Sequence, residues 1–342
     1  MAATNKGKAL RILTIDGGGI KGMYSAAVLA RLEEIFGCKT HERFDLIVGT
    51  SAGSITAAAL SLGISAREMR GFFEQKGPGI FSNNKKGSLT EVLRVIKQAV
   101  IGSKYSNTAL KKHLKELYGG SFFEDAVKKL CVTSFDIGTG KTVVFKTPHT
   151  KKAEKHRGNE ISKAVLASCS APTFFPAEKA VFTGKAESRC VDGGVWAENP
   201  VIAAIAEAEK YFVGPRKKFK KYLIVSVSAI TDEFHRDSGW NSLLGWNTGL
   251  LKLMMAAQAD SSGYMAEEML KRNKNYVRIC PDRGADGPYR NVDFMQFAID
   301  NTAQRTMNLM KELGGKDAES IKNNRVIKAC YKIMDKAGNC EF

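Results

Sequence analysis

Clustered thiols, metal-ligand patterns and long apolar runs are what this 342-residue sequence has least of. Its seven cysteines (Cys38, Cys131, Cys169, Cys190, Cys280, Cys330 and Cys340) are odd in number and scattered, with no CxxC pair. A disulfide framework and a structural zinc site both need clustered thiols, so neither is expected. No HExxH pair or other grouped ligand set occurs. The stretch Met1–Leu10 is polar and lacks the apolar segment of a secretory signal, which points to a reducing cytoplasm. The most apolar run, Leu46–Ile64, carries Ser51, Ser54, Thr56 and Ser61 and is broken by Gly49 and Gly53. A membrane span needs about 20 predominantly apolar residues, so this run reads as a buried strand, a tight turn and a buried helix. Negative charge is also scarce. Fifty-two Lys and Arg stand against 35 Asp and Glu, a formal net charge of +17, which favours anionic partners: a membrane surface, a nucleic acid or an acidic small molecule. The lysines are spread along the chain, and the balance alone does not choose among these.

What is present is the pattern of a parallel sheet with crossover helices. Leu10–Ile15 reads as a strand, Met23–Phe36 as a helix, Phe44–Val48 as a second strand and Ser54–Leu62 as a small-residue helix. From 67 to 124 the chain turns helical and basic, with amphipathic stretches Leu89–Ile101 and Thr108–Tyr118. This segment is expected to be an insertion that caps the domain. Leu130–Phe135 and Thr142–Phe145 read as a strand pair, Ile161–Cys169 and Val201–Tyr211 as helices, and Tyr222–Ser228 as another buried strand. Beyond about 240 the chain reads as mostly helical, including Leu243–Leu270 and Phe294–Leu313. With no repeat and no linker, the chain reads as one α/β domain over 1–342.

Three glycine-bearing segments carry the chemistry. Gly49-Thr50-Ser51-Ala52-Gly53 is a GxSxG pentapeptide between an expected strand and an expected helix. A serine at so sharp a turn projects its hydroxyl from the sheet edge, and flanking glycines remove Cβ atoms that would collide. The helix N-terminus that follows places a positive dipole beside developing negative charge. Asp16-Gly17-Gly18-Gly19-Ile20-Lys21-Gly22 joins the first strand to the first helix and also satisfies GxGxxG, a dinucleotide-binding pattern. A nucleotide-dependent oxidoreductase would need an acidic residue at the end of the second strand; Asp45 has the right separation but begins its strand. In a hydrolase the same bare backbone would donate hydrogen bonds to an oxyanion, each worth about 3–4 kcal/mol of barrier.

A nucleophilic serine needs a base. Of the five histidines, His235 alone lies late in the chain, and nothing in its polar surroundings marks it. Asp192-Gly193-Gly194 offers a carboxylate at the end of a short β-like segment, with glycines permitting close approach. Such a carboxylate would need a low-dielectric site to raise its basicity from about 3.9.

Taken in order, the three segments resemble the patatin-like phospholipase family: a DGGGxRG-like loop, then GxSxG, then DGG or DGA downstream. Ala171-Pro172-Thr173-Phe174-Phe175-Pro176 and Asn199-Pro200 resemble family segments around the third motif. The resemblance is dense from Leu10 to Val227 and looser to about Gly314. It implies a three-layer α/β/α sandwich with a mainly parallel central sheet, a Ser–Asp dyad without histidine, and catalysis that requires no metal or cofactor. Ser51 would be the nucleophile, Asp192 its base, and the N–H groups of Gly17, Gly18, Gly19 and Ala52 the oxyanion hole. Lys21 stands where the family usually has arginine; it keeps the charge but loses the planar fork on which holding the loop or contacting a lipid phosphate, as substrate-binding residue, would rest.

The implied substrate is a membrane glycerophospholipid cleaved through an acyl-enzyme, met by peripheral contact with the inner membrane face. Each basic residue near an anionic bilayer adds about 1 kcal/mol of attraction. The stretch Trp240, Trp246, Leu250, Leu251, Leu253, Met254 and Met255 has the residue pattern of an ordinary core helix, and as an alternative would wet the bilayer or line the acyl tunnel; the clusters 151–157 and 216–221 would face solvent or the membrane. Bacterial relatives of this length include antiphage effectors switched on by cyclic oligonucleotides, so such a ligand, rather than a nucleic-acid polymer, is an expected activator. The alternatives are the oxidoreductase and a basic membrane-binding module with a dead site.

Overall fold

The computed structural model describes residues 8–81, 103–180, 188–230, 249–271, 274–282, 288–289, 292 and 297–331. The expected stretch Leu89–Ile101, together with His235, Trp240 and Trp246, lies outside them. Strands are β1 (Ala9–Ile15), β2 (Leu46–Gly49), β3 (Lys129–Asp136), β4 (Lys141–Lys146), β5 (Glu178–Ala180), β6 (Ser188–Asp192), β7 (Lys221–Val227) and β8 (Tyr276–Ile279). Helices are α1 (Gly22–Phe36), α2 (Thr40–Arg43), α3 (Ala52–Ser61), α4 (Ala66–Ile80), α5 (Thr108–Tyr118), α6 (Ile161–Ser168), α7 (Gly194–Ala197), α8 (Val201–Tyr211), α9 (Gly249–Leu270), α10 (Gln304–Ile321) and α11 (Arg325–Tyr331).

One sheet runs in the order β5-β6-β3-β2-β1-β7-β8, with β4 paired to β3. The pairs β3-β2, β2-β1, β1-β7 and β7-β8 are parallel, and β4, β5 and β6 pair antiparallel. Both faces are covered, so alternate residues of each central strand enter different cores, as the two-residue period of a strand requires. Leu10 and Ile12 of β1, with Leu46, Val48 and Ile224, pack against α8 and the end of α9. Leu13 and Ile15, with Ile47, Val132 and Val227, pack against α1, α3, α4 and α10. This is the expected α/β/α arrangement. No helix among the described residues is long and apolar enough to cross a membrane.

The register sets the site. Gly49 at the end of β2 lies opposite Val132, and Asp192 at the end of the antiparallel β6 lies opposite Ser134. The two strand ends therefore meet two residues apart along β3.

Beyond β7 one four-residue strand, β8, lies among three described helices, and its side chains alternate as a strand's do. One expectation for this part of the chain is corrected. The last long helix begins at Gln304 rather than Phe294, and runs past Leu313 to Ile321. Its start is late because Ile299 is held in the glycine loop, where its carbonyl accepts from Ile20 N–H (2.9 Å). Its end is late because Gly314 is a packing position, not a stop: a Cβ there would meet the Tyr24 carbonyl at 2.7 Å and Ala27 Cβ at 2.9 Å. The same interface buries Asp317, which accepts from the hydroxyls of Tyr24 (2.5 Å) and Tyr289 (2.8 Å). Replacing Gly314 by Val should force α10 off α1 and cost about 1–3 kcal/mol, the usual penalty of overpacking, read as a lowered midpoint of thermal unfolding.

Candidate functional site

Ser51 sits between β2 and α3 with φ 50° and ψ −127°, a backbone state in which a non-glycine residue holds about 1–3 kcal/mol of strain. Several contacts hold it there. Its N–H donates to Ser168 Oγ (2.9 Å), and Thr50 N–H continues the ladder to the Ile15 carbonyl (3.2 Å). Thr50 Oγ1 donates to the Ala197 carbonyl and lies 2.6 Å from Thr133 Oγ1. Gly53 is required for close approach, since a Cβ would lie 2.3 Å from the Ile15 carbonyl and 2.4 Å from that of Asp16. The second glycine of the motif thus locks the serine turn onto the glycine loop that leaves β1.

Ser51 Oγ donates to Asp192 Oδ2 at 2.6 Å across 141 residues of sequence. The other carboxylate oxygen, Oδ1, accepts from Gly194 N–H at 2.7 Å. Asp192 is 1% exposed. Burial pushes its pKa up to about 7, against the opposing pull of the bonds from Ser51 and Gly194. The carboxylate is seated by Gly193, whose missing Cβ would fall 2.2 Å from Thr133 Oγ1, and by Asp192 N–H donating to the Ser170 carbonyl (3.0 Å). Beside it, the Cys169 thiol is pushed well up by burial and by the Asp192 charge, which keeps it neutral. The group that meets the serine hydroxyl is thus a carboxylate and not an imidazole. Two histidines are engaged elsewhere, His149 with Glu207 and Thr147, and His113 with Glu116.

The glycine loop lies next to the serine. Gly18 and Gly19 have φ values of 146° and 60°, open to glycine but strained for other residues. Their N–H groups meet no acceptor among the described residues, and Ala52 is the first residue of α3, whose N–H has no partner within the helix. Gly17 departs from expectation: its N–H donates to the Glu198 carbonyl (2.9 Å) and is taken up in holding the loop. Lys21 lies beneath the loop, where a residue that holds it would stand. It is 7% exposed and its Cε lies under Gly18.

Two cavities meet at this loop. One is apolar and touches Ser51, with Ile55, Phe73, Ile80, Leu110 and Phe175 among its walls. The other lies on the opposite side, lined by Asp16, Lys21, Glu198 and Lys252. Ile299 borders both. Asp16, which opens the loop, is buried against Arg278 of β8, whose guanidinium reaches both carboxylate oxygens (2.5 and 3.3 Å) and Ser226 Oγ (2.8 Å). Arg278, Ser168 and Thr133 were not legible as site residues. The serines of Ser168-Cys169-Ser170 were a possible sign, being polar groups at the end of an otherwise apolar helix.

The dinucleotide alternative fails on the same geometry. Asp45 accepts from Arg11 N–H (2.9 Å) at the start of β1 and β2, the far end of the sheet from the loop. Among the described residues no group of three or more His, Cys, Asp or Glu stands where it could share a metal ion.

Comparison with known proteins agrees with this architecture. The family model described as patatin-like phospholipase matches residues 13–205. A cGAMP-activated phospholipase of Pseudomonas aeruginosa is 27% identical over 316 residues, covering 90% of this chain and 87% of that protein. One of the same description from Vibrio cholerae is 27% identical, over 95% of each chain. A cUMP-AMP-activated phospholipase of Escherichia coli is 30% identical over 64% of this chain and 63% of its own length. With more than half of its length matched by the family model, and all three motif segments inside that match, the chain belongs to the patatin-like phospholipase family.

Proposed function

We propose that the protein hydrolyses ester-linked fatty acids of membrane glycerophospholipids with Ser51 as nucleophile and Asp192 as base. The observation that carries this reading is the 2.6 Å bond from Ser51 Oγ to a buried carboxylate whose pKa is raised to about 7. An aspartate so placed takes a proton far more readily than one in water, while a large fraction stays ionised at neutral pH. Ser51 Oγ attacks the ester carbonyl carbon as its proton passes to Asp192 Oδ2. The carbonyl oxygen, now negative, is received by the N–H groups of Gly18, Gly19 and Ala52, with the α3 N-terminus adding its dipole. The carbon–oxygen bond to the glycerol side breaks, and Asp192 returns the proton to that leaving alcohol. Water then attacks the acyl-serine, gives its proton to Asp192, and the fatty acid leaves as Ser51 recovers its hydrogen. The apolar cavity beside Ser51 suits the acyl chain.

Contact with a membrane is supported by α9, where Leu250, Met254, Met265 and Met269 are exposed. Met255 belongs elsewhere: it is buried, and its Cε packs against Gly194. Lys21, beneath the loop, would act chiefly by supporting Gly18, with the charged cavity beyond as the place for a phosphate. The relatives named for activation by cyclic dinucleotides support the same kind of control here, and with it a bacterial, cytoplasmic role in defence against phage.

Ser51→Ala and Asp192→Asn should each abolish fatty-acid release from phospholipid vesicles, followed by mass spectrometry; retained release in both would refute the dyad. The rate at subsaturating substrate should rise with pH to a plateau above about 7 and fall about tenfold per unit below it, because only the ionised Asp192 accepts the serine proton. Stability should move the other way. Since Asp192 binds its proton more tightly folded than unfolded, its burial is free of penalty below about pH 4, increasingly destabilising from there to about 7, and constant above. Asp192→Asn should therefore gain in thermal midpoint relative to wild type on going from pH 4 to pH 8.

A further inference from the structure

A cleft of about 580 Å³ lies away from both cavities of the active site, between the C-terminal end of α9, β8 and the start of α11. Ordinary ligand sites occupy roughly 300–1,000 Å³. Four cations line it, Lys271, Lys274, Arg278 and Arg325, against one carboxylate, Glu267. Lys271, just past α9, is paired with Glu268 of that helix, and Arg278 with Asp16. Lys274 and Arg325 form no ion pair among the described residues, and both are exposed. Lys274 is held in a left-handed backbone conformation (φ 48°) where the chain turns into β8.

Beyond charge, the cleft carries groups that a bare phosphate would not use. Tyr276 supplies an aromatic ring of the kind on which bases stack, while Asn324 and Glu267 supply an amide and a carboxylate that can pair with the edge of a purine. Arg278 belongs to the cleft and to the active site at once. Its side chain is 18% exposed, and its other side grips Asp16, the residue that opens the glycine loop. Arg278 passes beside α9 near Gly263, where even an added Cβ would make only an ordinary contact with Arg278 Cδ at 3.8 Å.

We propose that this cleft binds a cyclic dinucleotide, and that Arg278 couples its occupancy to the Asp16–Gly19 loop. The coupling rests on the hydrolase reading; the binding does not. A phosphate drawn to the exposed side of Arg278 shares a guanidinium already committed to Asp16 and Ser226. Ligand binding can then favour one position of the loop over another, which is what a regulatory ligand must do to change activity.

The test separates binding from hydrolysis. Ser51→Ala protein is titrated calorimetrically with cyclic dinucleotides carrying every pair of the four bases, and with inorganic phosphate. At least one dinucleotide should bind and phosphate should not; phosphate binding equally well would reduce the cleft to a general anion site and overturn the assignment. Lys274→Glu and Arg325→Glu should each weaken that binding roughly ten- to hundredfold, the range for losing a charged hydrogen bond, while leaving unstimulated hydrolysis unchanged. Cys280, an exposed thiol lining the cleft, should react with a maleimide more slowly when the ligand is present, as located by peptide mapping. Arg278→Lys should retain binding within a few fold yet lose stimulation of fatty-acid release, a split that simple unfolding would not produce. Unaltered affinity in both glutamate variants, unprotected Cys280, or no dinucleotide bound by a chain that does release fatty acid would each overturn the proposal. A chain that binds dinucleotide at this cleft yet never releases fatty acid would instead refute the hydrolase reading and leave the binding site standing.

Discussion

Taking the Asp192 carboxylate out of water is costly, and the surrounding structure is arranged to make that possible. An ionised carboxylate in an apolar interior either finds donors or takes up a proton. Among the described residues Asp192 has two donors, Ser51 Oγ and Gly194 N–H, enough to hold it in place but too few to restore an ordinary pKa. A third or fourth donor would have made it a weaker base. Gly193 and Gly194 keep the number low: their bare backbone lets Thr133 and Met255 close over the site, filling with packed atoms the space where water would otherwise solvate the charge.

The same economy of side chains joins the two halves of the site. Gly53 lies against the carbonyls of Ile15 and Asp16, so the serine turn cannot be displaced without moving the glycine loop. Ser168 at the end of α6 and Ser170 just beyond it then tie the serine backbone and the aspartate backbone to a third element. The strain at Ser51 is sustained because its neighbours on β1, β2, β3 and α6 over-determine its position.

This explains which parts were legible in the sequence. Ser51, Asp192 and the loop from Asp16 to Gly22 stand in segments where close backbone approach demands glycine, and glycine leaves a local mark that survives without any knowledge of the fold. The strands of the two-faced core were legible for a similar reason, since each presents apolar residues on both of its sides. Ser168 and Arg278 left no such mark. A serine at a helix end and an arginine in a four-residue strand each have an ordinary local environment, and they gain importance through partners 117 and 262 residues away. Gly17 was legible as part of a bare loop, but the partner of its N–H, the Glu198 carbonyl, was not. Gly314 misled in the opposite direction: read locally it ends a helix, whereas in the fold it lets α10 lie against α1.

The Asp16–Arg278 pair is the least local feature of all, and its energetics suit a control point better than a fastening. A buried ion pair gains little net stability, because desolvation of both groups offsets their attraction, while removing one partner leaves the other stranded at a cost of several kcal/mol. Such a pair holds a definite geometry without making that geometry much more stable than its neighbours. Arg278 also retains an exposed side, so an anion in the adjoining cleft meets it without having to break the core. Ser51 and Asp192 can remain in contact throughout, since neither bonds to Arg278. Under the proposed coupling, what would change is the position of the Gly18 and Gly19 N–H groups, and a displacement there would weaken oxyanion binding while sparing the dyad. A phospholipase controlled in this way would keep its nucleophile assembled at all times and withhold only the stabilisation of the transition state.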